Sequence, residues 1–269
     1  MLHKRVNGYE MAYIEVGTGA PLVLVHGSLC DFRIWSPVLG PLSRHCRVIA
    51  PSLRHYFPEH WDGSGRDFTV DQHVRDTISF LEQTGGASDL VGHSRGGHIA
   101  FRVAEQRPDL VRRLILAEPG GDLDGSLAPA RDDRPSPSRL MVATAVEKIA
   151  AGDVEGGVGS FVDAVNGPGA WLRLPAAAQQ ETRDNAYTLL GQINEARRPY
   201  ARAEAEAIRA PTLFVSGEKT TGVLPVISRA LAAHIAGARS ATIPDVTHMM
   251  FVQDPVRFCA LVLDFLRSL

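Results

Sequence analysis

Gly92-His93-Ser94-Arg95-Gly96-Gly97 is the stretch that decides the fold of this 269-residue chain. It contains Gly-x-Ser-x-Gly, and its surroundings say more than its spelling. Residues 88–91 read as a strand, and a helix is predicted over 97–106, with Ile99, Ala100, Val103 and Ala104 apolar at helical spacing. A strand that becomes a helix across one residue forces that residue into a strained conformation with its side chain exposed. Glycines two residues either side let strand and helix approach where a Cβ would clash. The helix N-terminus adds N–H donors and a positive dipole end beside Ser94.

Working outward, Pro108 closes that helix, and 113–118 reads as a buried strand ending in Glu118. Upstream, Pro21-Leu22-Val23-Leu24-Val25 is a continuous apolar run, as expected of a strand covered on both faces, and it leads straight into His26-Gly27-Ser28. Strands are also predicted over 10–16 and 47–50, and a helix over 32–42. Thr69 and Gln72 form a capping box that opens a helix bearing Val74, Ile78 and Leu81 and ending at Gly85-Gly86. From Gly120 to about Ala207 the strands stop. A Gly/Pro/Asp-rich linker is followed there by helices predicted over 138–151, 154–165 and 176–195. Residues 211–217 and 240–243 resume the sheet, with helices over 224–235 and 254–266. The class is α/β, a doubly wound, mostly parallel sheet. The core comprises 1–121 and 208–269, and 122–207 forms a helical lid over the carboxyl edge, where such sheets bind ligands.

Composition narrows the function classes. The chain is 45% hydrophobic and 22% charged with a net charge of −2, an ordinary globular balance that gives nucleic acid or an acidic membrane no purchase. Residues 1–7 lack the apolar core of a signal peptide, and no apolar run approaches a membrane span, so a cytoplasmic location is expected. Cys30, Cys46 and Cys259 are too few and too scattered for a disulfide framework or a zinc site. Oligomeric state stays open, a homodimer included.

Taken as a set, His26-Gly27 after an early strand, Gly92-x-Ser94-x-Gly96 and His248 before the last helix resemble the α/β-hydrolase superfamily over nearly the whole length. The resemblance implies that Ser94 is the nucleophile and His248 the base that a serine hydroxyl needs. It also implies an oxyanion hole made by the amides of Ser28 and Arg95, with Leu29 as the loop alternative, and no cofactor or metal. Leu29, Trp35, His93, Trp171 and Met249 are candidates for the substrate pocket. His3, His45, His73 and His234 read as plain surface or packing residues. A cation such as Arg95 opposes the helix dipole, so a carboxylate partner is expected for it, with substrate binding the alternative.

The triad acid departs from the family pattern. Most relatives place an aspartate three residues after Gly217, where this chain has Thr220. Some branches, zearalenone-type lactonases among them, carry the acid at the end of the preceding strand (strand 6 of the family), and Glu118 stands there. A carboxylate ending an apolar strand is costly unless paired, and an imidazole would pair it. The expected triad is therefore Ser94–His248–Glu118, with Glu218, Asp122 and Asp245 as alternatives for the acid. Relatives also read Asp-x-x-Gly-x-Gly near Ser52, so Arg54, His55 and Tyr56 either pack or face the pocket. The resemblance implies a serine hydrolase that cleaves a small-molecule ester or lactone through an acyl-enzyme. A carbon–carbon bond hydrolase, a cofactor-free perhydrolase and a non-catalytic ligand receptor are the alternatives. Haloalkane dehalogenases and epoxide hydrolases of this fold carry an aspartate at the elbow, where this chain has Ser94.

Overall fold

The computed structural model describes residues 1–128 and 137–268. It opens with a hairpin of β1 (Leu2–Val6) and β2 (Tyr9–Val16). The two-residue corner between them, Asn7-Gly8, holds both residues at positive φ, 47° and 80°, as a tight hairpin requires. The strand predicted over 10–16 is β2 and β1 is additional, although Asn-Gly between alternating residues is a strong hairpin signal.

The chain continues through β3 (Pro21–Val25), α1 (Ser36–Ser43), β4 (Arg47–Pro51), α2 (Val70–Glu82), β5 (Ser88–His93), α3 (Arg95–Gln106) and β6 (Val111–Ala117). Six helices follow: α4 (Pro137–Ala150), α5 (Val154–Asn166), α6 (Ala170–Arg173), α7 (Ala176–Asp184), α8 (Thr188–Asn194) and α9 (Arg202–Glu206). The sheet then resumes with β7 (Thr212–Gly217), α10 (Val223–Ala232), β8 (Arg239–Ile243), α11 (Met250–Gln253) and α12 (Pro255–Arg267). Part of the predicted 120–137 linker, residues 129–136, lies outside the described residues. The single helix expected over 176–195 is two, α7 and α8, separated at Asn185, whose side chain bonds Asp31 and the Phe57 amide of the core. At Thr69 only half of the capping box forms. Its hydroxyl accepts from the Gln72 N–H (3.0 Å), while the Gln72 side chain turns to Asp76 (2.8 Å).

The eight strands lie in the order β1-β2-β4-β3-β5-β6-β7-β8, antiparallel up to the β2–β4 pair and parallel from β4 onward. Side chains of a strand alternate between faces, so a strand covered on both sides must be apolar throughout. Val23, Val25, Leu90, Leu114, Leu116 and Phe214 pack with α2, α3 and α10 on one face. Leu22, Leu24, Val91, Ile115, Leu213 and Val215 pack with α1 and α12 on the other. Each such side chain contributes about 1.5–3 kcal/mol by burial. The helices between β6 and β7 have an apolar core of their own, which Leu29 joins from the sheet domain. Among the described residues no helix is long and apolar enough to cross a membrane.

Candidate active site

Ser94 is the single residue between β5 and α3, with φ +53° and ψ −119°. Sterics enforce this corner. A Cβ on Gly92 would sit 2.4 Å from the Gly96 carbonyl oxygen, and one on Gly96 would sit 2.2 Å from that of Val25. The Ser94 carbonyl accepts from Gly97 (2.9 Å), His98 (3.2 Å) and Gly120 (2.8 Å) N–H groups, which locks the turn. Leu29 (φ +57°) and Glu118 (φ +45°) are also left-handed, a conformation that branched and bulky residues adopt at a cost.

Glu118 follows β6 directly, and its carboxylate is buried and doubly bound. Its Oε2 accepts from His248 Nδ1–H at 2.7 Å and its Oε1 from the Gly217 N–H at 2.9 Å. The carboxylate partner puts the proton of neutral His248 on Nδ1 and leaves Nε2 as a base. The loop carrying His248 is held on two sides. Its carbonyl accepts from His93 Nε2–H (3.1 Å), with the two rings 4.3 Å apart, and the Thr247 carbonyl lies where a Cβ on Gly217 would be, 2.4 Å away. Burial, reinforced by the neighbouring His248, holds His93 well below the ordinary histidine pKa. Among the described residues, the other acids weighed for His248 lie elsewhere. Glu218 accepts from the Asp245 N–H, exposed Asp245 pairs with Lys219, and Asp122 lines a hollow beside Glu195. Thr220, at the usual acid position, is buried.

The loop after β3 lies against the nucleophile, since a Cβ on Gly27 would be 3.1 Å from that of Ser94. Burial lowers the His26 pKa to about 4, and the neutral ring bridges two backbone groups. Its Nδ1–H donates to the Gly27 carbonyl (2.9 Å) and its Nε2 accepts the Leu53 N–H (3.0 Å). Ser28 and Arg95 are both tied to the segment around α8. The Ser28 hydroxyl donates to Gln192 Oε1 (2.7 Å), and the terminal nitrogens of Arg95 donate to both oxygens of Glu195 (2.5 and 2.7 Å). Glu195 is thus the carboxylate partner expected for Arg95. Burial would raise the Glu195 pKa, but Arg95, with Arg197 beside it, brings it down to about 2. His73 departs from its plain packing role: fully buried, it accepts from Arg95 on Nδ1 and donates to the Arg54 carbonyl.

Two chambers, of about 330 and 270 Å³, meet at Ser28, Ser94, Phe161, Val165 and His248. Leu29, His93 and Met249 line the larger one, as the sequence reading expected. Two of its candidates are corrected. Trp35 is fully buried in the core, its ring 4.3 Å from that of Phe251, because the short 3-10 turn 32–35 that leads into α1 lays its last residue against α11. Trp171 is buried within the inserted helices, its indole N–H bonded to Glu155 at 3.0 Å. Neither lines a chamber. Phe161 and Val165, one helical turn apart on α5, do, and so do Gln192 and Arg197, all missed from sequence. The i, i+4 apolar pair on α5 was a legible signal, whereas nothing local marks Gln192 or Arg197. Arg54, His55 and Tyr56 face away: Arg54 pairs with Asp76 and Asp67, His55 with Glu59 and Asp67, and Tyr56 packs on His26. Among the described residues, no cluster of three His, Cys, Asp or Glu is placed to hold a metal ion.

The profile described as the alpha/beta hydrolase family matches residues 22–261, from β3 into α12, with the elbow, Glu118 and His248 inside it. The chain belongs to that family. A soluble epoxide hydrolase from Corynebacterium sp. (strain C12) is 36% identical over 140 residues, 51% of this chain and 46% of the relative. The match to that curated relative thus spans less than half its length. Among solved structures, this hydrolase-family chain resembles the enol-lactonase from Burkholderia xenovorans LB400 (TM-score 0.79, 22% identity, 99% of this chain and 100% of that one). It also resembles an esterase from Exiguobacterium antarcticum (TM-score 0.81, 18% identity, 99% of each chain). At these identities the likeness concerns the fold.

Proposed function

We propose that the protein is a serine hydrolase that cleaves a carboxylic ester or lactone through an acyl-enzyme, with Ser94, His248 and Glu118 as its triad. The observation that carries this reading is the buried Glu118–His248 hydrogen bond of 2.7 Å, set where two chambers converge on a serine held at positive φ. Ser94 Oγ attacks the carbonyl carbon while His248 Nε2 takes its proton. Glu118 fixes the ring and balances the imidazolium. The amides of Arg95 and Ser28 hold the developing oxyanion, each such donor being worth about 2.7–4 kcal/mol in a closed site. His248 then protonates the leaving alkoxide, and a water activated by the same ring releases the acid. The helices over the sheet edge act as a lid, and the small-molecule substrate lies beneath them.

The likeness to an enol-lactonase and an esterase agrees with this chemistry, and the serine at the elbow separates the chain from branches that use an aspartate there. The test is labelling with a fluorophosphonate probe alongside a turnover screen of acyl esters and lactones. Wild type should label and turn over, and Ser94→Ala and His248→Ala should lose both. A wild type that neither labels nor turns over any ester or lactone would place the chain among non-catalytic ligand receptors.

A further inference from the structure

The two chambers that meet at Ser94 carry opposite charge. The charged side chains lining the larger are Asp31, Glu181 and Arg173, two acids against one base. Burial raises the Glu181 pKa, and Asp31 and Asp184 add to the rise against the pull of Arg33. The smaller chamber is lined by Arg95 and Arg197, and a hollow of about 110 Å³ that shares Gln192 and Arg197 with it adds Asp122, Arg139 and Glu195. Among the described residues, the balance there is three arginines against two carboxylates.

Arg197 is the cation set to meet a ligand. It stands in the segment after α8 and is mostly buried, and Nη2 donates to Glu195 Oε1 at 2.8 Å. That carboxylate is already gripped by both terminal nitrogens of Arg95, so one acid serves two guanidinium groups. Among the described residues, Arg197 makes no other hydrogen bond, and it lines the chamber beside Gln192 and Thr221. A guanidinium presents paired N–H donors that match a carboxylate, and a partly desolvated pair discriminates strongly against a neutral group.

We propose that the Arg197 chamber is an anion subsite. The substrate is an ester or lactone bearing a carboxylate on the side of the scissile bond that enters this chamber, while its apolar remainder occupies the larger one. The proposal rests on the serine hydrolase reading of Ser94 and names the substrate class of that site.

The experiment compares kcat/KM within two matched pairs: ethyl hydrogen glutarate against ethyl pentanoate, and 4-(butanoyloxy)butanoate against butyl butanoate. In one pair the anionic ester should be favoured by about tenfold or more, as expected for a hydrogen-bonded charge. The pair that shows the preference tells whether the acyl or the alkyl side enters the chamber. The preference should shrink to about threefold or less in Arg197→Gln, survive in part in Arg197→Lys, and weaken between about 50 and 500 mM NaCl. Neutral esters equal or better in both wild-type pairs, or a preference undiminished in folded Arg197→Gln, overturn the proposal.

Should Arg197→Gln not fold, protection of wild-type Ser94 from the fluorophosphonate decides instead. Glutarate should slow labelling and glutaramide should not; equal effects overturn the proposal. Failure of the two readings is distinguishable. Turnover of esters without charge preference refutes the subsite alone. Glutarate that raises the melting temperature of wild type but not of Arg197→Gln, in a protein with no labelling or turnover, supports the subsite while refuting the hydrolase.

Discussion

Replacing Glu118 by glutamine tests the acid assignment at one atom. Both carboxylate oxygens accept from fixed donors, Oε2 from His248 Nδ1–H at 2.7 Å and Oε1 from the Gly217 N–H at 2.9 Å. Glutamine offers one acceptor and one NH2, so either orientation sets donor against donor once. The peptide N–H cannot move its proton, but imidazole can change tautomer. The amide oxygen should therefore stay on Gly217 and the NH2 turn to His248, whose Nδ1 then accepts and whose proton passes to Nε2. No base faces Ser94 in that tautomer. The kcat for an ester should fall about 10³- to 10⁴-fold, or about 4–5.5 kcal/mol of barrier, with KM changed little. Stability should fall by no more than about 1–3 kcal/mol, the cost of one mismatched buried polar group. Glu218→Gln is the control, since Glu218 accepts from the Asp245 N–H on the protein surface, and it should retain activity within about threefold. Steady-state kinetics, with circular dichroism to verify folding, reads both. A folded Glu118→Gln enzyme that loses less than about tenfold, or two variants with equal small losses, would refute the reasoning.

Other consequences are structural. Gly96→Ala adds a Cβ 2.2 Å from the Val25 oxygen and 2.4 Å from that of His26, so strand and helix must part; a loss of about 3 kcal/mol or more is expected in urea unfolding. Glu195→Gln leaves the Arg95 guanidinium buried against an uncharged amide and should cost about 3–5 kcal/mol by the same measurement. Acid should weaken the fold in two windows. The His26 pKa is about 4 against an ordinary 6.5, so the unfolded chain binds the proton first. Its contribution, about 3 kcal/mol, is whole above pH 6.5 and is lost as pH falls towards 4. Glu195, at about 2 against 4.5, has the same sign and loses its contribution as pH falls from 4.5 towards 2. Urea midpoints flat between pH 7 and 4 would contradict the His26 window.

What was legible in the chain followed from sterics and short-range pattern. The continuous apolar runs at 21–25 and 114–117 read as strands covered on both faces, and they are β3 and much of β6. Lone aromatic residues misled, because a large ring fills a core as readily as a pocket wall. Trp35 and Trp171 went into two different cores, one under the sheet and one inside the inserted helices. The short helices α6 and α9, of four and five residues, carried too little periodicity to be found.

By itself the sequence determined the elbow, the alternation that builds the sheet, and the insertion between β6 and β7, because each depends on contacts within a few residues. It also favoured Glu118 as the acid expected beside His248, over Glu218, Asp122 and Asp245, since a carboxylate at the end of an apolar strand demands a partner. Only the tertiary structure brings the pair into contact: His248 is 130 positions from Glu118, and their meeting depends on β6 and β7 lying side by side. The same holds for Arg95 and Glu195, 100 positions apart. It holds also for the chamber at Arg197, whose charge arises where α3, α8 and the segment after it converge. Local sterics are written in neighbouring residues, whereas a charge balance exists only once distant segments share a wall.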